Sequence, residues 1–285
     1  MHKSTLVKFF TSNGQIHVPS GSKNYLYILD SQVLVYMNAA GYSHQPPLPF
    51  LKYQLERKNG LEFIQPWFAL NEITKQHLSP DFNTYHTAFT ELVGPAHILA
   101  QNPEIYRDVS EQARVYCVDT VLAYRHMVKE LYVLNDEIEA TRKISLRKEL
   151  LEKFIIHNSI EVDATLGIGM PLAFRIASRC PVAKGLLKID EARKIGYDTA
   201  AANVAWDFTF LKTLHCSSSI VKYDKKLKPV LVTADKQLQL LASACKSSLT
   251  APDLTAKSKS IIINVSPTRD SIHYTPLFKA YGYLA

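Results

Sequence analysis

The chain has 285 residues, 47% of them hydrophobic and 21% charged, with 33 Lys and Arg against 26 Asp and Glu. This composition excludes a disordered chain, a collagen-like chain and a minimal disulfide scaffold, and the length is enough to bury a substantial core. The net charge of +7 favours a polyanionic partner such as nucleic acid, because clustered Lys and Arg gain affinity by displacing counterions from phosphates.

At the amino end, Lys3 and Lys8 flank an apolar run too short for a secretory signal, so no export is expected. The most apolar helical stretch, residues 164–177, is interrupted by Arg175, so no membrane span is expected. Cys117, Cys180, Cys216 and Cys245 are scattered without metal-ligand spacing and read as thiols of a reducing cytoplasm.

Tyr25-Leu-Tyr-Ile-Leu29 is the first strong element, a continuous apolar run that fits a strand buried on both faces. Asp30 ends it, and the polar pair after it begins a helix or turn. In open α/β sheets the carboxyl ends of the strands are where ligands bind. The proline-rich run Gln45-Pro-Pro-Leu-Pro49 reads as a loop. Pro66 suits a first helical turn, which predicts a helix over residues 67–76 carrying Glu72.

From residue 80 to 179 the pattern is that of long helices. Cys117, Val121, Tyr124, Val128, Leu131 and Ile138 fall on helical spacing and make one apolar stripe. The mixed charges that follow, among them Asp136, Glu139, Arg142, Lys143, Arg147 and Lys148, read as a solvated helix face. Gly167-Ile-Gly169 lacks the third glycine of a dinucleotide loop and reads as a helix break before Pro171.

Toward the carboxyl end, residues 197–214 read as a helix, Lys228-Pro-Val-Leu-Val-Thr233 as a buried strand, residues 235–244 as a helix and residues 261–265 as another strand. Thr233 and Asp235 stand at a strand-to-helix junction. By itself such an Asp is most simply a helix cap. A second junction of the same kind, at Asp30, changes the balance. With Glu72 and one acid from the helix before the last motif, four carboxylates could converge. Their mutual repulsion would be costly in an empty site, so the cluster makes physical sense around divalent cations, and oxygen-only ligands suit Mg²⁺ or Mn²⁺.

Tyr27-Ile-Leu-Asp-Ser-Gln-Val-Leu-Val35 and Val230-Leu-Val-Thr-Ala-Asp-Lys-Gln-Leu-Gln-Leu-Leu-Ala242 resemble the first strand and the late Thr-x-Asp strand and helix of the PIN-domain family of metal-dependent nucleases. The resemblance implies metal-binding roles for Asp30 and Asp235, supports Glu72 as the early helix acid and sets Thr233 beside the site. For the remaining acid, Asp207 in Ala205-Trp-Asp-Phe-Thr is the first choice and Asp198 the reserve. Gln32 stands where the family has Asn. The implied architecture is α/β: a PIN-like central parallel sheet flanked by helices, with residues 1–79 and 191–285 forming the core and residues 80–190 a large helical insertion.

The function expected on these grounds is that of a cytoplasmic, Mg²⁺- or Mn²⁺-dependent endonuclease, most simply a ribonuclease hydrolysing phosphodiester bonds through Asp30, Glu72, Asp207 and Asp235. Lys222, Lys225, Lys226 and Lys228, interleaved with Tyr223, suit a single-stranded RNA whose bases stack and whose backbone follows positive charge. The helical insertion could serve a homo-oligomer or a protein partner. Gln32 and the choice between Asp207 and Asp198 motivate a rival, an inactive PIN-like module that binds RNA or protein. A metal-dependent phosphatase acting on small substrates is a third reading.

Overall fold

Two strands unforeseen in the sequence open the computed structural model. β1 (Lys8–Thr11) and β2 (Gly14–Ile16) form an antiparallel hairpin, and β1 buries Phe9 and Phe10 completely. Gly14 closes the turn at φ +117°, a conformation that side-chain-bearing residues avoid. The structure describes residues 7–17, 25–39, 41–44, 47–56, 64–74, 82–93, 104–158, 168–216, 228–247, 261–263 and 270–280.

β3 (Tyr25–Leu29) is the predicted first strand, with only Tyr25 less than fully buried. Asp30 caps the helix that follows, α1 (Ser31–Asn38): it sits in extended backbone at φ −73°, ψ 153° and accepts from the Gln32 N–H. α2 (Leu48–Glu56) starts within the proline-rich run, so Pro49 lies in a first helical turn instead of a loop. β4 (Ile64–Gln65) and α3 (Trp67–Thr74) follow, the latter starting just after Pro66 as expected. α4 (Phe82–Val93) and the long α5 (Glu104–Ala140) come next, and the predicted stripe of α5, from Cys117 to Ile138, is buried throughout.

α6 (Ile144–Asn158), α7 (Gly169–Ala177), α8 (Pro181–Leu186), α9 (Ile189–Ile195) and α10 (Tyr197–Cys216) complete the helical region. β5 (Lys228–Thr233) then leads to α11 (Lys236–Ala244). β6 (Cys245–Ser247) pairs antiparallel with β7 (Ile261–Ile263) in a separate small sheet, and α12 (Ser271–Ala280) ends the described chain. Among the described residues no helix is long and apolar enough to cross a membrane.

The main sheet has the order β2-β1-β5-β3-β4. β5, β3 and β4 run parallel, while β1 pairs antiparallel with β5. This overturns the expected α/β architecture of a PIN-like central parallel sheet flanked by helices. The fold is mostly helical, with one small mixed sheet. The physical reason is twofold. Helical periodicity is sustained over far more of the chain than the few short strands, so helices bury most of the apolar surface against one another. The open side of β5 is taken by the Phe9-Phe10 strand, whose two adjacent aromatics carry no alternating pattern to announce it.

The chain folds as two units, Met1–Asp119 with Thr209–Ser243, and Thr120–Phe208 with Ala244–Ala285, and the division falls within α5 and α10. In the first unit, β3 and β5 are covered by a core that includes Tyr27, Val33, Leu34, Trp67, Leu70 and Phe89, to which α1 to α4 contribute. Trp67 and Phe89 stack with ring centroids 5.7 Å apart. In the second unit, α12 packs on both α6 and α7, and Tyr132 of α5 donates to the Leu187 carbonyl at 2.8 Å.

Candidate functional site

Parallel register places Leu29 of β3 beside Val232 of β5, so the next residue on each strand path, Asp30 and Thr233, emerge together at the carboxyl end of the sheet. The Asp30 N–H donates to the Val232 carbonyl at 3.0 Å and fixes that alignment. Asp30 is buried, 3% exposed, and its carboxylate is held from three sides. Oδ2 accepts from Thr233 Oγ1 at 2.7 Å, while Oδ1 accepts from the Gln32 N–H and from Ser31 Oγ, each at 3.3 Å.

Thr233 connects the two acids. Its hydroxyl donates to Asp30 and accepts from the Asp235 N–H at 3.0 Å. Asp235 caps α11: its Oδ1 accepts from the Gln237 N–H at 2.6 Å and the Leu238 N–H at 2.9 Å. Its Oδ2 accepts from Gln32 Nε2 at 3.3 Å. The result is a closed circuit, Asp30 to Thr233 to Asp235 to Gln32 and back to Asp30, spanning two strand ends and two helix starts. The partial positive charge at the amino ends of α1 and α11 offsets part of the repulsion between the two carboxylates.

Burial pushes the Asp30 carboxyl above its ordinary value. Hydrogen bonds from Thr233, Gln32 and Ser31 pull it down, the Asp235 charge pushes it up, and the net direction is upward. A positive group beside Asp30 would favour its ionised form.

Glu72, half-buried on α3, contributes its charge to the surroundings of Cys117 on α5, whose thiol is pushed well above its ordinary value, mainly by burial. Asp207, on the part of α10 in the second unit, is mostly buried and ion-paired with Lys188 Nζ at 3.0 Å. Asp198 is exposed and bridges to Lys129 at 2.9 Å and Arg125 at 3.4 Å. Among the described residues no three His, Cys, Asp or Glu side chains form a group able to hold a metal ion. The structure thus brings together Asp30, Thr233 and Asp235.

In kind, the donors suit a hard divalent cation. They are carboxylate oxygens with a hydroxyl and amides around them, without sulfur or imidazole. Gln237, whose backbone caps onto Asp235, also carries a buried side-chain carbonyl oxygen with no hydrogen-bond partner among the described residues.

Two residues of this site were not recognised as such from sequence. Gln32 appears there only as a departure from a motif, and its partner Asp235 is 203 residues away. Lys8, read as a flank of a short apolar run, pairs with Thr233 across β1 and β5 and brings a cation to the same sheet end. Of the expected basic run, Lys228 begins β5 and is exposed, while Lys222, Tyr223, Lys225 and Lys226 lie outside the described residues.

Comparison with protein-family models, with curated proteins and with solved structures gives no match to the chain.

Proposed function

We propose that the protein is a metal-dependent endonuclease acting on single-stranded RNA, with Asp30 and Asp235 as its central acids. The observation that carries this reading is the pair itself: two carboxylates at the ends of adjacent parallel strands, joined through one threonine hydroxyl. A buried carboxylate with a second carboxylate beside it opposes folding unless something positive offsets the charge.

Asp30 and Asp235 would hold the cation, Mg²⁺ or Mn²⁺, with the Gln237 carbonyl available as a neutral oxygen. The chemistry such an ion supplies when bound is neutralisation of phosphate charge and acidification of water near neutral pH. Thr233 orients the Asp30 carboxylate, and the helix caps orient that of Asp235. Lys8, beside Thr233 across β1 and β5, and Lys236, next after Asp235, suit the flanking phosphates of a bound strand, consistent with the overall charge of +7. Cys117 and Cys180 are buried free thiols, which accords with residence in a reducing cytoplasm.

Cleavage of a labelled single-stranded RNA with Mg²⁺ or Mn²⁺ tests the proposal. Asp30→Asn and Asp235→Asn should each lower the metal-stimulated rate by about a hundredfold or more while the circular dichroism of the fold is retained. Undiminished cleavage by both purified variants overturns it. A second reading, a module that binds RNA or protein without turnover, draws on the engagement of Asp235 Oδ1 as a helix cap and on the pairing of Asp207 with Lys188. RNA affinity in the wild-type protein without any divalent-ion binding would favour that module.

A further inference from the structure

The hydrogen bonds at the two acids fall into two classes. Thr233 on Asp30 Oδ2 at 2.7 Å, and the backbone N–H groups of Gln237 and Leu238 on Asp235 Oδ1 at 2.6 and 2.9 Å, are as short as charge-assisted bonds should be. The contacts to the other two oxygens, Asp30 Oδ1 and Asp235 Oδ2, are all 3.3 Å. Each carboxylate is therefore anchored through one oxygen and loosely held through the other.

Gln32 touches both loose oxygens, one through its backbone N–H and one through its side-chain Nε2. It is half-buried at the start of α1, and its side chain is the sole described hydrogen-bond donor to Asp235 Oδ2. An amide is neutral, so it steers the oxygen without neutralising it and leaves an acceptor direction open.

We propose that Gln32 is a positioning residue for the Asp30–Asp235 pair: its side-chain amide fixes the orientation of Asp235 Oδ2 so that this oxygen and Asp30 Oδ1 face a shared cation. The proposal rests on the reading of the pair as a metal-dependent centre. Side-chain length is the determinant. Asn at this position is one methylene shorter and loses the reach to Asp235 from the same backbone, and Met keeps the length and bulk but has no donor.

Mn²⁺ binding followed by electron paramagnetic resonance, on the full chain and without RNA, separates the outcomes. Wild-type protein should bind Mn²⁺, and Gln32→Met and Gln32→Asn should each bind about tenfold to a hundredfold more weakly, the effect usual when a partner that orients a ligand is removed. Thermal unfolding of metal-free Gln32→Met checks that the fold is intact. If both variants keep wild-type affinity, Gln32 has no positioning role and this inference fails while the metal reading stands. If the wild-type protein itself binds no Mn²⁺, the metal reading fails and takes the inference with it.

Discussion

Asp30 is the buried acid of the site, and the sign of its pH dependence follows from that. Its carboxyl is raised above 3.8 in the folded chain, chiefly by burial, so the folded state holds a proton that the unfolded state gives up sooner. The stability Asp30 contributes is full below the unfolded value near 3.8 and is lost as pH rises through the raised folded value. Asp30→Asn removes that titration. In metal chelator its melting temperature should therefore exceed that of wild type at neutral pH, and the gap should close on acidification below 3.8. A gap of constant size across that range would show that burial does not tax the carboxylate. Asp30 and Asp235 themselves were legible in the sequence, since each is an acid between a buried apolar run and a helix. Their connection was not. Thr233 and Gln32 bridge elements separated by 203 residues, and no local spacing encodes a contact of that range.

At the scale of elements, the same contrast separates stripes from networks. The α5 stripe was legible because burial of a helix face repeats every three or four residues. The charges that follow it read as a solvated face, and most are exposed, although Asp136 and Glu139 are also ion-paired and Arg147 is buried. Arg193 of α9 bonds Asp136 at 2.8 Å and Glu139 at 2.5 Å, and Tyr197 and Lys184 close the cluster on the same two acids. Arg147 departs most. Its side chain is 4% exposed, and its Nε donates to the Thr141 carbonyl at 2.7 Å, just past the end of α5, with Nη2 reaching the Arg142 carbonyl at 3.4 Å. Arg147 thus satisfies carbonyls of the segment that joins α5 to α6. The Asp270 carboxylate lies 3.9 Å away and is 37% exposed, so it adds little. Arg147→Met, which keeps the stem, should destabilise the protein by about 2–3 kcal/mol in urea titrations, the range for a buried hydrogen bond made by a charged group. A change below about 0.5 kcal/mol would mean that the guanidinium only fills space.

For the whole molecule, the charge of +7 predicts how RNA should be held. If phosphates are held by surface Lys and Arg, log affinity should fall linearly with log salt, with a slope of about −0.7 for each phosphate neutralised on a single strand. Fluorescence anisotropy of a labelled oligonucleotide between low and moderate salt, in chelator to silence cleavage, measures it. A slope near zero would assign the positive charge to solubility alone. At this scale the sequence was least informative about architecture. The short strands implied a parallel α/β sheet, yet whether a strand lies centrally depends on what pairs with its open side, and for β5 that partner is a hairpin at the far end of the chain.

That pairing also orders events in time. β1 belongs to a hairpin with β2, and β3 pairs with β4; among the described strands β5 alone hydrogen-bonds to both and joins them into one sheet. As the chain leaves the ribosome, the two strand pairs appear early and β5 late, bringing Thr233 and Asp235 with it. Asp30 waits without either partner for 203 residues of synthesis. An unfinished polypeptide consequently cannot assemble the acid pair, and its ordering coincides with the closure of the sheet, a long-range step that is slow because so much intervening chain must first be brought together.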